Sequence, residues 1–202
     1  MNIIVRRPGV VEYQAAFERM VRFTDERSGN TADEIWLLQH PSVFTLGLNA
    51  DPAHVLAAGD IPVVKVDRGG QVTYHGAGQL VAYVLLDLHR RRLGVCALVT
   101  ALETAVIATL ARYGITAASE PRAPGVYVAG AKVASLGLRV RRGCSYHGLA
   151  LNVNVDLEPF ARINPCGIPG IEVTRITDLG GPSDVETVSR DLETDLLKAL
   201  DL

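Results

Sequence analysis

Apolar residues recur along this chain with two periods, one helical and one strand-like. Over residues 11–27, Tyr13, Phe17, Met20 and Val21 fall at helical spacing, and Ser28-Gly29-Asn30 stops the helix. Over residues 95–113, Leu98, Leu102, Ala105, Val106, Thr109 and Leu110 make one stripe bracketed by Gly94 and Gly114, which predicts a second, longer helix. A third begins after Ser183, where Ser-Asp-Val-Glu reads as a capping box with Glu186 at the third helical position. Leu192, Leu196, Leu197 and Leu200 form its buried stripe.

The remaining apolar runs read as strands. Residues 2–5 suit an edge strand, 34–39 and 43–46 form two strands joined by a turn at His40-Pro41-Ser42, and 63–66 lead into a glycine-rich segment. Residues 80–88 are almost continuously apolar, which predicts a strand buried on both faces. Residues 126–128, 131–140 and 146–153 are successive strands, the first two joined by a tight turn at Ala129-Gly130. The expected fold class is α/β (α+β), with a mixed, largely antiparallel sheet and packed helices rather than a regular βαβ repeat. No linker or repeat divides the chain, so residues 1–202 read as a single domain.

Composition narrows the class. A chain of 202 residues, 48% hydrophobic and 21% charged, can bury one substantial core. No uninterrupted apolar run approaches the roughly 18 residues of a bilayer span, and the N-terminus lacks the order of a secretion signal, so a cytoplasmic protein without a membrane partner is expected. Cys96, Cys144 and Cys166 are odd in number and lack CxxC spacing, which suggests free thiols and no metal site. Cys96 and Cys144 read as small buried hydrophobes. A net charge of −2 argues against nucleic acid. Arg90-Arg91-Arg92 and Arg139, Arg141 and Arg142 are local basic clusters, either a solvated face or a surface that steers an acidic partner.

Three segments carry candidate chemistry. Arg68 to Gln79 holds four glycines in twelve residues, which lets backbone approach a ligand or simply turns the chain. It matches neither the phosphate-loop nor the dinucleotide pattern. Lys132 interrupts an apolar, strand-like run, where a lysine is either a snorkelling surface residue or a buried proton acceptor. Cys166 stands between Pro165 and Gly167, a setting that presents a side chain at a loop apex. A thiol reacts as its thiolate, and a nearby ammonium favours that form, so Lys132 and Cys166 read as a nucleophile with its activator. They are 34 positions apart, so only the fold can unite them. His147 by residue type is either a satisfied structural histidine or a supporting group.

Four motifs taken together, Arg68-Gly69-Gly70-Gln71-Val72-Thr73-Tyr74-His75-Gly76-Ala77-Gly78-Gln79, Gly130 to Gly137, Ser145 to Asn154 and Arg162 to Gly167, resemble the lipoyl(octanoyl) transferases. The likeness runs from about Gln39 to Thr174 in the family's order, with departures at Ala77 and Val84, where the family usually has proline. It implies the catalytic-domain fold of biotin and lipoate protein ligases. It further implies ping-pong transfer of an octanoyl or lipoyl group from acyl carrier protein to the lysine of lipoyl domains, those of 2-oxoacid dehydrogenase E2 subunits and of glycine cleavage H protein. By that resemblance Cys166 carries the acyl thioester and Lys132 assists it. Arg68, Gly69, Gly70, Gln71, Val72, Thr73, Tyr74 and His75, with Ser135, Leu136, Gly137, Gly148, Leu149 and Ala150, line the acyl pocket, and His147 stands beside it. No cofactor is needed, because a thioester is already activated, and a monomer is expected. An ATP-dependent lipoate or biotin ligase on the same fold is the main rival, disfavoured by the cysteine. A catalytically silent binding module is the second, disfavoured by the presence of both Lys132 and Cys166.

Overall fold

The structure, a computed structural model, describes residues 3–120 and 123–201. Seven strands form one sheet. β1 (Ile3–Val10) lies at its edge and pairs in parallel with β2 (Asp33–Gln39). Beyond β2 come β6 (Gln79–Leu85), β10 (Cys144–Asn152), β9 (Ala131–Arg141), β8 (Gly125–Val128) and β7 (Ala118–Ser119), all antiparallel to their neighbours. A second sheet holds β4 (Val63–Lys65), β3 (Val43–Leu46) and β5 (Val72–His75) in that order. The helices are α1 (Tyr13–Glu26), the short α2 (Leu88–Arg91), α3 (Val95–Arg112) and α4 (Val185–Ala199).

Burial follows the patterning. Every residue of β6 is buried, as its apolar run demands of a central strand covered on both faces. Leu80, Ala82 and Val84 join Leu149 and Leu151 in a core closed by α3 and α4. The alternate residues Val81, Tyr83 and Leu85 pack with Trp36, Leu38 and Ala150 against Ala16 and Met20 of α1. The buried stripe of α3 is the one the periodicity gives, Leu98 to Leu110. This helix has the length and apolarity of a membrane span, but its stripe is packed on the sheet and its neighbour is α4. The Ala129-Gly130 turn has φ of +49° and +89°, the geometry a two-residue hairpin requires.

Several expectations need correction. Asn2 lies outside the described residues, and the strand after it runs on to Val10. The strands flanking His40 diverge into different sheets instead of pairing with each other. The apolar run at 80–88 leaves the sheet at Leu85, and Leu88 already belongs to α2. The last helix is capped by Asp184 and not Ser183. The Asp184 carboxylate accepts the N–H groups of Glu186 and Thr187, adding favourable charge at a helix start that a serine cannot supply. Cys96 is exposed, because it falls off the Leu98 stripe, whereas Cys144 is buried. Arg90 and Arg91 are not a free basic face: with Arg27 they converge on the buried carboxylate of Asp33 at 2.5–2.6 Å.

Candidate active site

After Cys166 the chain returns beside the start of β9. The Lys132 N–H donates to Glu172 O at 2.8 Å and Lys132 O accepts from Thr174 at 2.9 Å, a parallel bridge centred on Val173. That bridge spans the gap that no local element could. Lys132 is only 2% exposed, and its Nζ lies 2.9 Å from Cys166 Sγ, 3.0 Å from Pro124 O and 5.3 Å from the centre of the Tyr127 ring. Gly125, at φ +150°, makes room for it, since a Cβ there would stand 2.4 Å from Lys132 Cε.

Cys166 itself sits in the left-handed region, φ 58° and ψ 16°, in a single 3₁₀ turn from Pro165 to Gly167. That conformation costs a non-glycine residue roughly 1–2 kcal/mol and therefore needs support. Support comes from the Gly167 N–H donating to Asn164 O at 2.9 Å, and from Asn164, whose N–H donates to His54 O at 2.8 Å. The thiol is half-buried.

Beside the sulfur a narrow cleft of about 50 Å³ runs over the sheet. Its floor is made of small residues, Ser135 and Gly137 of β9 and Gly148 and Ala150 of β10, with Leu136 and Leu149 between them. Gly148 is obligatory, because a Cβ there would meet Ala82 O at 2.0 Å. Arg68, Gly70, Gln71, Val72, Thr73 and His75 form the opposite wall. The glycine-rich segment is thus half strand: Val-Thr-Tyr-His has the β-branched and aromatic character of a strand, and forms β5. Tyr74 lies outside the cleft, its ring packed on Phe44 and Phe160 and its hydroxyl 3.0 Å from Ser42 Oγ. Gly69 also lies outside it, its N–H donating to Leu138 O at 2.9 Å.

The far end of the cleft is polar, closed by Tyr13, Tyr83, His75 and His147. Patterning gave no sign of Tyr13, Val81, Tyr83 or Asp67 here, since an aromatic on an amphipathic stripe and an apolar residue in a strand look like ordinary core. Burial pushes His75 down to about 3 and His40, behind it, down to about 4, so both are neutral. His40 Nδ1–H donates to Val11 O at 2.6 Å, which leaves Nε2 to accept from the Tyr83 hydroxyl at 2.6 Å. Burial also lowers His147, against the opposing pull of Asp67, whose carboxylate is 2.9 Å from Nε2 and also accepts from the Tyr146 hydroxyl. His147 has φ +60° in mid-strand, and its Nδ1 has no partner. Tyr13 Oη and Arg68 Nε are likewise buried without partners. The Arg68 guanidinium donates to Thr45 O, Thr45 Oγ1 and Gly69 O, a neutral cradle. Among the described residues no cluster of three or more His, Cys, Asp and Glu could hold a metal ion.

A family model described as the lipoyl protein ligase A/B catalytic domain matches residues 12–197. Octanoyltransferase of Pseudomonas syringae pv. syringae is 58% identical over 193 residues, 96% of this chain and 88% of that protein. Octanoyltransferase of Methylococcus capsulatus is 60% identical over 185 residues, 92% of this chain and 89% of that protein. Among solved structures, lipoate-protein ligase A bound with ATP superposes with a TM-score of 0.84 at 14% identity, covering 100% of this chain and 86% of that one. Biotin protein ligase from Aquifex aeolicus, with biotin and ATP, gives 0.61 at 16% identity, covering 99% and 70%. At such identities these two likenesses speak to the fold alone.

Proposed function

This chain belongs to the lipoyl protein ligase A/B catalytic-domain family and transfers an octanoyl group, and we propose that Cys166 carries that group as a thioester between donor and acceptor. The observation that supports this reading most directly is the 2.9 Å contact between Lys132 Nζ and Cys166 Sγ in a site where the lysine is buried. In such a setting an ammonium has few ways to balance its charge, and a thiolate is one.

The reaction runs in two displacements. Cys166 sulfur attacks the thioester carbonyl of octanoyl-acyl carrier protein; the new carbon–sulfur bond replaces the old one, and the departing thiolate takes the proton held on Lys132. The ε-amine of a lipoyl-domain lysine then attacks the octanoyl-Cys166 thioester, giving an amide and returning the cysteine thiolate. Neutral Lys132 receives the proton that the amine loses. Acceptors of this kind are the lipoyl domains of 2-oxoacid dehydrogenase E2 subunits and the H protein. Because the donor is already a thioester, no ATP is consumed, which separates this reading from a ligase on the same fold. The free thiols suit work in the reducing cytoplasm.

The test is intact-mass spectrometry after mixing with octanoyl-acyl carrier protein in EDTA without ATP. One octanoyl adduct, released by hydroxylamine and mapped to Cys166, is expected. An adduct that needs ATP, or that survives in Cys166→Ser, overturns the covalent reading.

A further inference from the structure

A second cavity, of about 290 Å³, meets the first at Cys166. Strand lengths create it. β8 pairs with β9 only as far as Ser135, while β9 continues to Arg141, so the edge of β9 beside Leu136 to Leu138 has no strand neighbour. Gly69 covers part of that edge, and the remaining notch is walled by Val99 of α3, Leu138 and Pro124, with Ile168 at 40% exposure by its mouth. Among the described residues its lining holds no charged side chain apart from the Cys166 end, where Lys132 stands, and Gln71 is engaged with the backbone of Asn49 and Asp51.

Resting on the covalent reading above, we propose that this notch holds the thiol-side arm of the donor thioester, a slender and uncharged chain bearing amides. Three observations support it. The carbonyl under attack carries two substituents, and with the acyl tail in the small-residue cleft the sulfur side must point into the other space bounded by Cys166. The wall residue Pro124 is also the second partner of Lys132 Nζ, so the ammonium stands where the two spaces join and can protonate the departing thiolate. Away from the Cys166–Lys132 junction the described walls, Val99, Leu136, Leu138 and Pro124, are uncharged, which favours an uncharged arm along them, since burying an unpaired charge is costly. At about 290 Å³, against the ~30 Å³ a water occupies, there is room for several heavy atoms of chain.

The experiment compares two octanoyl donors by the rate at which each acylates Cys166. Octanoyl-coenzyme A has the arm, and p-nitrophenyl octanoate does not. Val99→Trp fills the notch from α3, and the ratio of arm-bearing to armless acylation should fall by about tenfold or more, an effect of the size overpacking produces. Ile168→Trp repeats the test from an exposed position should Val99→Trp fold poorly. An unchanged ratio in both variants overturns the assignment. So does a defect confined to transfer onto lysine, which would give the notch to the acceptor. Absence of a Cys166 adduct in the parent with both donors and with octanoyl-acyl carrier protein would instead remove the Cys166 intermediate itself.

Discussion

The two faces of the seven-stranded sheet are made from alternate residues of the same strands, yet they are built to different ends. On one face Ile35, Leu37, Leu80, Ala82, Val84, Leu149 and Leu151 meet α3 and α4 in a continuous apolar core. Its polar exception is satisfied: Thr109 and Arg112 both donate to Asp195. The other face is covered in part by α1, over Trp36, Leu38, Val81 and Leu85. Beside that helix the central strands present Gly137, Gly148 and Ala150, leaving an open cleft edged by buried polar groups. Tyr13 Oη, Arg68 Nε and His147 Nδ1 lack partners there, and Cys166 and His147 hold left-handed conformations. Thr24 Oγ1, Arg27 Nε and Arg139 Nε are unpartnered as well, and Arg92, Ala129, Arg142 and Asp201 are left-handed turn residues. At the proposed site, however, strain and unsatisfied polarity coincide, while the face packed on α3 and α4 supplies the stability that tolerates them.

The largest effect should come from the open face. Lys132→Met keeps the stem and removes the amine, so octanoyl transfer should fall by about 10²- to 10⁴-fold, the usual worth of a positioned proton carrier, and iodoacetamide should label Cys166 more slowly at neutral pH. Lys132→Arg keeps a cation that cannot take up a proton, and should restore labelling more than transfer. Equal labelling of Cys166 in Lys132→Met and parent would break the dyad. On the face packed on α3 and α4, Leu151→Ala should cost about 2–5 kcal/mol in urea unfolding, because Leu151 is fully buried in the apolar cluster. Its folded fraction should still form the octanoyl adduct. A Leu151→Ala protein that kept its stability but lost the adduct would erase the division between the faces.

The face packed on α3 and α4 was readable because its rule is simple: the α3 stripe and the run through Leu80, Ala82 and Val84 follow from period and apolarity alone. Most helix and strand ends shifted by a residue or two, as at Asp184, where two neighbouring polar residues compete for one cap, though the first strand runs on to Val10 and β6 stops at Leu85. The cleft was half readable. Glycines and a Pro-Cys-Gly apex announce unusual backbone, so Gly70, Gly137, Gly148 and Cys166 stood out as sequence. What closes the cleft did not. Tyr13 and Tyr83 reach it from elements far apart in the chain, and Tyr74 is drawn out of it by packing on Phe44 and Phe160. The meeting of Lys132 with Cys166 depends on the Val173 bridge, a long-range pairing with no local signature.

Acid should act through the open face first. His40, His75 and His147 all pack on that side, and burial lowers each, the first two to about 4 and about 3. Unfolding frees them to bind protons near pH 6.5, so their contribution to stability is complete above that pH and is lost as pH falls toward 4. His40 and His75 should each remove about 1.4 kcal/mol per pH unit across that window, and His147 contributes in the same direction. The lowered carboxyls Asp33, Glu34 and Asp67 lose their contribution further down, below about pH 4.5. The urea midpoint should therefore drop between pH 7 and pH 5, and His40→Gln should flatten the slope. A midpoint that holds steady over that range would mean that the histidines are not buried as described.

The smallest effect separates an unsatisfied group from a satisfied one a few ångströms away. The Tyr83 hydroxyl donates to His40 Nε2, so Tyr83→Phe strands a buried acceptor and should cost about 1–3 kcal/mol. The Tyr13 hydroxyl, which burial pushes up to about 12 and so keeps neutral, has no hydrogen-bond partner of normal geometry, only loose polar contacts with Tyr83 and Thr45. Tyr13→Phe preserves the ring contacts with His40 at 4.9 Å and His75 at 5.6 Å while deleting an atom that lost its water on folding. Its stability should equal that of the parent or exceed it by up to about 1 kcal/mol. Destabilisation as large as that of Tyr83→Phe would show that the hydroxyl has a partner after all, such as an ordered water, and the cleft end would then be as well satisfied as the apolar face.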